Sequence, residues 1–393
     1  MRIWGITGTN GKTTTAWIAA SFIDGALGGR RRCGYVTTVE VFTGTRRFYT
    51  GYTTPPLAEL REIFAEMEAN GLTDCVMEVS SHAIHQHRTG ETVFAGGAFT
   101  NLSEDHLDYH KTMEAYFDVK LDFARQIAAA HPAAPDAGRR DLAPYVVCLD
   151  GGYGRRMYET AGNLAVNVIP VTIAKSPYDL GGLQLVGDYN RSNVLVAAAL
   201  AEAAGVPRAE IQAKIPGLRP RWGRLERVTN PAVAADVYVD FAHTPDGLEK
   251  VLGAARGFTR GRLWVVFGAG GDRDPLKRPL MGAACARLAD RLVVTSDNPR
   301  SEAPEAIIAA IVRGVTPEAR ARLGEGALVT EPDRRRAICF ALARAGAGDV
   351  VIVAGKGHET TQEVAGVKHP FDDREVVREY RADANGGTPL AAD

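Results

Sequence analysis

The chain has 393 residues, too many for one ordinary core and enough for two or three domains. A formal net charge of -1, with 45% hydrophobic and 24% charged residues, is that of a globular protein and offers no electrostatic case for nucleic acid or an anionic membrane as partner. The five cysteines stand far apart, against a zinc ribbon or a disulfide framework, and no run approaches the roughly 18 apolar residues of a membrane span, so a cytoplasmic protein is expected.

The apolar run Ile3 to Ile6 reads as a strand that opens into Gly8-Thr9-Asn10-Gly11-Lys12-Thr13-Thr14-Thr15. A glycine-rich turn between a strand and a helix lets backbone N–H groups converge on phosphate oxygens. Lys12 adds a positive charge, and the Thr13 hydroxyl is a ligand for Mg²⁺. The helix runs from Thr13 to about Gly25, and the next strand covers Tyr35 to Val39. A rigid turn, Tyr52-Thr53-Thr54-Pro55-Pro56, leads into a helix from Leu57 to Ala69.

Apolar Leu72 to Val79 reads as a buried strand that delivers Glu78, Ser80, Ser81 and His82 at its carboxyl end, where open α/β sheets place ligands. A strand from Ala98 to Leu102 delivers a second polar cluster, Glu104 to His110. A helix then carries Tyr116, Lys120 and Phe123 at helical spacing. Strand runs at Tyr145 to Leu149 and Val166 to Ile173 follow, with an exposed loop at His131 to Arg140 before them.

Gly187 to Asn193 gathers polar groups ahead of a long apolar helix, Val194 to Ala204. The stretch Pro216 to Gly223 reads as a linker, which divides the chain into domains 1–218 and 219–393. Strands near Val237 to Phe241, Arg262 to Phe267, Arg291 to Thr295 and Val350 to Ala354, with helices between, restart the alternation, before a polar tail after about Ala382. The expected fold class is α/β, with two doubly wound domains.

Nine motifs in order carry a resemblance: Gly8 to Thr15, Thr53-Thr54-Pro55, Met77 to His82, Asn101 to His110, Gly187 to Asn193, Asp240 to Asp246, Gly268 to Met281, Asp297-Asn298-Pro299-Arg300 and Gly355 to Glu359. Together they resemble the Mur ligase family, and within it the MurE-type ligases that add the third amino acid of the peptidoglycan stem. The resemblance implies a central P-loop ATPase domain and a Rossmann-like C-terminal domain that binds the incoming amino acid. It also implies that ATP activates a substrate carboxylate as an acyl phosphate, which an amino-acid amine then attacks with loss of phosphate. In both steps the protein contributes positioning and electrostatic stabilisation.

By motif, Thr13 and Glu78 would hold one Mg²⁺ and His106 a second, with Mn²⁺ as the alternative that imidazole favours. Lys120 falls where such ligases carry a carbamylated lysine, an amine turned into an anionic oxygen ligand by CO₂. Gly8, Thr9, Asn10, Gly11, Lys12, Thr13 and Thr14 would cradle the phosphates. Asn190 and Asn193 would contact adenine, Arg224 the phosphates, Asp240 the ribose, and His243 or Lys277 the phosphate region. ATP would thus lie between the two domains.

Thr53, Thr54, Ser81 and Arg88 are the candidates for gripping a glutamyl carboxylate acceptor. Arg273, Asp297, Asn298, Arg300, Gly355 and Glu359 would form the amino-acid pocket, with Arg300 on the distal carboxylate of meso-diaminopimelate and Glu359 on its distal ammonium. MurE-type ligases carry a further amino-terminal domain that holds a uridine nucleotide. Here the sequence starts at the phosphate-loop strand, so either the chain is truncated or the acceptor is smaller; the second is the expectation. A ligase of a specialised peptide pathway and a non-catalytic nucleotide-binding subunit are the rival readings, and a monomer is the family expectation.

Overall fold

The computed structural model describes residues 1–132, 134, 138–220 and 222–381. Part of the loop expected at His131 to Arg140, Arg221 of the linker and the polar tail after Ala382 lie outside the described residues. The chain divides into two compact units, Met1–Arg219 and Pro220–Asp393.

The first unit is an eight-stranded sheet. Its strands are β1 (Arg2–Thr7), β2 (Cys33–Val36), β3 (Val41–Phe42), β4 (Arg47–Phe48), β5 (Asp74–Glu78), β6 (Phe94–Phe99), β7 (Pro144–Cys148) and β8 (Asn167–Val171). They lie in the order β4-β3-β2-β5-β1-β6-β7-β8, parallel from β2 to β8, with β3 and β4 added antiparallel. The direction of winding reverses around β1, so its carboxyl end opens into a crevice between the ends of β5 and β6.

The helices that matter to this crevice are α1 (Lys12–Ile23), α2 (Leu57–Ala69), α3 (Ser81–His85), α4 (Met113–Ala130) and α5 (Asp188–Ala203). One face of α4 buries Phe117, Leu121, Phe123 and Ile127, each worth roughly 2 kcal/mol or more in burial. That face needs room: a Cβ at Gly97 would stand 2.7 Å from the Phe123 ring, and one at Gly5 2.3 Å from it. Glycine in β6 therefore lets α4 lie close on the sheet, with Lys120 on the same helix.

Three boundaries differ from expectation. Thr37, Thr38 and Val39 leave the second strand because the Thr37 hydroxyl donates to Glu40 O and accepts from the N–H of Val39 and Glu40, closing a turn. β6 begins at Phe94 and ends at Phe99, its Gly-Gly pair masking the strand in the sequence. The polar run before Val194 is helical from Asp188.

The second unit has a six-stranded sheet built from β9 (Glu226–Val228), β10 (Asp236–Asp240), β11 (Leu263–Phe267), β12 (Arg291–Thr295), β13 (Leu328–Glu331) and β14 (Val350–Ala354). The order is β13-β12-β11-β14-β10-β9, parallel except for β9. A hairpin of β15 (Thr361–Val364) and β16 (Val367–Pro370) follows. Helices α6 (Pro245–Arg256), α7 (Lys277–Leu288), α8 (Pro304–Val312), α9 (Arg334–Arg344) and α10 (Asp373–Glu379) flank the sheet. The sequence reading passed over β9, β13 and the hairpin, which are only three or four residues long.

Both sheets use the same pin at the amino ends of their strands. Trp4 Nε1 donates to Asp74 at 3.0 Å in the first, and Trp264 Nε1 to Asp349 at 3.1 Å in the second. Among the described residues no helix is long and apolar enough to cross a membrane.

Candidate active site

The phosphate loop is shaped by its neighbours. Thr9 N–H donates to Asn101 O at 2.9 Å and Asn10 N–H to Asn101 Oδ1 at 3.0 Å, while the Thr100 hydroxyl donates to Asn10 O at 2.7 Å. Gly11 caps α1 with φ at 85°, a left-handed conformation that favours glycine, and a Cβ there would stand 2.3 Å from Asn193 Oδ1. The first-turn N–H groups of α1, at Lys12, Thr13 and Thr14, have no carbonyl four residues back within the helix and aim at the crevice. Lys12 Nζ folds over the loop onto Gly8 O and Thr9 O, at 2.9 and 2.8 Å.

Beside the loop a cleft of about 220 Å³ brings together Gly8, Lys12, Thr53, Ser81, Arg88, His106 and Lys120, all singled out by sequence. Lys120 is the centre of this group. Its side chain is buried and Nζ donates to Gly8 O at 2.9 Å, with the ammonium 4.7 Å from the Tyr116 ring centroid. Burial, and then the neighbouring Lys12 charge, push its pKa well below the ordinary lysine range, so the ammonium is less favoured there than on an exposed lysine. The half-exposed His106 sits at a left-handed φ of 55°, and desolvation outweighs the pull of Asp105 to hold its pKa near 4, leaving a lone pair for coordination.

Glu78 is fully buried at the end of β5 and accepts from Thr38 N–H at 2.8 Å and the Thr38 hydroxyl at 3.1 Å. The Thr38 hydroxyl also reaches Thr53 Oγ1 at 3.1 Å. Thr54 acts on the backbone instead, where its buried hydroxyl donates to Glu78 O and accepts from Ser80 N–H, tying the turn to β5. Ser81 pairs with His110 Nε2 at 3.0 Å, and Arg88 lies over the Tyr52 ring. Among the described residues there is no group of three or more acidic, His or Cys side chains that could hold a metal ion.

Asn190 Nδ2 donates to Val186 O at 2.7 Å and Asn193 Nδ2 reaches Asn190 Oδ1 at 3.5 Å, so this pair links the start of α5 to Gly11. Sequence reasoning missed Tyr116, whose hydroxyl lies 3.1 Å from Thr9 Oγ1, and Thr38, the partner of Glu78. Asn101 stands inside a motif already singled out, but its hold on the loop had no signal in spacing.

In the second unit, Asp240 is buried and its two oxygens accept from Leu225 N–H and Ala242 N–H, both at 2.7 Å. It fixes a backbone turn. Arg224 lies 4.6 Å over the Phe241 ring, His243 Nδ1 is 2.8 Å from Phe241 O, and Lys277 begins α7.

Residues Asp297 to Arg300 follow β12 and face the chain that leaves β14. Asn298 Nδ2 donates to Glu359 Oε2 at 2.8 Å. Arg300 takes a left-handed φ of 52° and is held by Arg300 N–H to Glu363 O, Ala365 N–H to Arg300 O, and Nη1 to Gly271 O at 2.6 Å. Gly355 has φ at 119°, and a Cβ there would lie 2.4 Å from Asp297 Oδ2. That buried oxygen has no hydrogen-bond partner among the described residues, so the pocket keeps an unused acceptor. Glu359 Oε2 is engaged by Asn298 and by Lys356, which the sequence reading did not single out, whereas Arg273 is exposed.

Residues 6–179 match the Mur ligase middle domain and residues 223–357 the Mur ligase glutamate ligase domain. The chain is 36% identical over 401 residues to UDP-N-acetylmuramoyl-L-alanyl-D-glutamate–2,6-diaminopimelate ligase 1 of Clostridium acetobutylicum, covering 97% of this chain and 78% of that protein. It is 40% identical over 387 residues to the ligase of Gloeobacter violaceus, covering 95% of this chain and 76% of the relative. A solved structure of a ligase of the same name aligns with a TM-score of 0.60 at 32% identity, over 99% of this chain and 79% of its own. With a phosphate loop at a sheet switch point and family matches in both units, the chain belongs to the Mur ligase family and is an ATP-dependent, amide-bond-forming ligase of the MurE kind.

Proposed function

We propose that this ligase joins meso-diaminopimelate, or a similar amino acid with a distal carboxylate, to a glutamyl carboxylate, converting ATP to ADP and phosphate. The observation that carries the reading is Arg300, fixed by backbone bonds on both sides beside Asn298 and Glu359. A guanidinium grips a distal carboxylate through paired hydrogen bonds, and lysine has no such group to offer. The names of the relatives from Clostridium and Gloeobacter support the same amino acid.

In the first unit, Lys12 exchanges its loop carbonyls for phosphate oxygens, and the α1 amino end supports the charge. Thr13, Glu78, His106 and Lys120 are the residues that would hold Mg²⁺, or Mn²⁺, at two sites. Such ions neutralise phosphate charge. Lys120 serves as its carbamate, a reading supported by its buried, neutral-favouring surroundings. Arg88, Thr53 and Ser81 orient the acceptor carboxylate in the cleft. Asn190 and Asn193 face adenine, and the reaction belongs to the cytoplasm, with the enzyme acting as a monomer.

The test is a phosphate-release assay with ATP, Mg²⁺, glutamyl acceptors with and without a uridine diphosphate sugar, and a panel of amino acids. Turnover with diaminopimelate and little with lysine is expected. Equal use of both amino acids would sink the amino-acid assignment. The acceptor arms decide whether a small acceptor suffices, and turnover restricted to the nucleotide sugar would exclude it.

A further inference from the structure

Lys356 is completely buried between two glycines with left-handed backbone, Gly355 at φ 119° and Gly357 at φ 54°. Neither flank admits a side chain: a Cβ at Gly355 would press on Asp297 Oδ2, and one at Gly357 would stand 2.7 Å from Phe241 Cβ. The backbone of Lys356 is therefore fixed, and its ammonium is aimed. Nζ donates to Asn298 Oδ1 at 3.0 Å and to Glu359 Oε2 at 2.8 Å. Asn298 Oδ1 accepts from Glu363 N–H as well, at 2.9 Å, and Gln362 Nε2 donates to Asp297 O at 2.8 Å. One buried cation thus joins the turn after β12 to the segment after β14.

The charges around this frame give it a second consequence. Asp297, Glu359 and Glu363 are acidic, and Arg300 lies 3.7 Å from Glu363. Arg334 is matched by Asp373 at 2.7 Å in a fully buried pair, and His358 is held neutral, its pKa pushed down to about 3 by burial and the neighbouring Arg224. Arg334 also acts electrostatically on Asp297 and Glu359, so apart from it and the exposed Arg273 the three carboxylates are answered by Arg300 and Lys356. Without Lys356 the balance would favour a distal ammonium over a distal carboxylate.

Resting on the diaminopimelate reading of the same pocket, we propose that Lys356 is its specificity-determining positioning residue. By locking Asn298 to Glu359 and neutralising one Glu359 oxygen, it keeps Arg300 available to a distal carboxylate and keeps the pocket unattractive to lysine.

The experiment measures KM and kcat for diaminopimelate, lysine and ATP with the full chain as wild type, Lys356→Met, Glu359→Gln and the double variant. Lys356→Met should raise KM for diaminopimelate roughly tenfold or more, the scale of a lost charge-assisted hydrogen bond, and lower KM for lysine, with KM for ATP little changed. In the Glu359→Gln background the effect of Lys356→Met on the preference should largely disappear. An equal rise for both amino acids, or an undiminished effect in that background, overturns the proposal. Lys356→Gln keeps a donor and drops the charge; it must also lose the preference, and wild-type preference in this variant overturns the proposal even where the Met variant does not fold. A wild type that prefers diaminopimelate beside an unaffected Lys356→Met removes the Lys356 role alone. A wild type with no such preference removes the pocket reading with it.

Discussion

At the scale of single residues, Lys120 shows how burial converts a common side chain into a special one. Its amine is dehydrated, hydrogen-bonded to Gly8 O and repelled by Lys12, and dehydration and repulsion both disfavour the ammonium. Lys120→Ala is expected to lower turnover about 100-fold or more, the scale of losing a preorganised group at developing phosphate charge. On the proposal that Lys120 acts as its carbamate, millimolar formate or acetate should restore part of that loss. Undiminished turnover in Lys120→Ala would end the assignment. The residue itself was legible because Lys on a helix beside two clusters of ligands matched a family motif. Its support was not: Tyr116 and Asn101 reach the loop from more than ninety positions away, and only folding brings them to Thr9 and Asn10. Asp240 is the converse case, a polar residue in a matching motif whose two oxygens the backbone takes.

At the scale of elements, α5 depends on a carboxylate at the end of β7. Asp150 accepts from Ser192 Oγ at 2.6 Å, from Thr172 Oγ1 at 2.5 Å and from Ile173 N–H, so one side chain ties β7, β8 and the first turns of α5 together. Those turns carry Asn193 against Gly11, with Asn190 beside it. Asp150→Ala should therefore raise KM for ATP roughly five- to tenfold while leaving kcat within about twofold, corresponding to ~1–1.4 kcal/mol of lost positioning. Steady-state kinetics decide it, and a fall in kcat at constant KM would show that α5 does not act through nucleotide binding. In the second sheet, Asp349 plays a comparable part at β14, accepting from Arg262 N–H, Gly346 N–H and Trp264 Nε1. Burial tends to raise its pKa, yet these donors together lower it below the usual value of 3.8. A depressed carboxylate contributes stability above its unfolded pKa and loses it as pH falls through the folded one. Asp349→Asn should thus remove an acid-sensitive component of stability that is lost as pH falls below about 4, visible as a shallower fall of melting temperature with pH than in wild type. Long periodic segments such as α2 and β14 were readable from pattern alone. The hairpins and β13 were not, because a strand of four residues takes its identity from the strand beside it.

The whole molecule is two compact units, and the sequence marked the division by a Pro- and Gly-bearing stretch between two runs of alternating strand and helix. In the first unit the core gathers around Phe94, Phe117 and Phe123, and in the second around Val239, Val353, Ile338 and Val377. The second core also encloses Arg334, whose guanidinium donates twice to Asp373 and once each to Ser296 O and Ala354 O. Removing the cation from a fully buried pair strands the carboxylate, a loss of about 3–5 kcal/mol. If each core holds its own unit together, Arg334→Met should lower the melting of the second unit by several degrees and leave that of the first in place. Scanning calorimetry would then show two transitions where they overlap in wild type, and nucleotide added with Mg²⁺ should raise the unaltered one. A single transition that moves as a whole would show that the two cores melt as one cooperative unit.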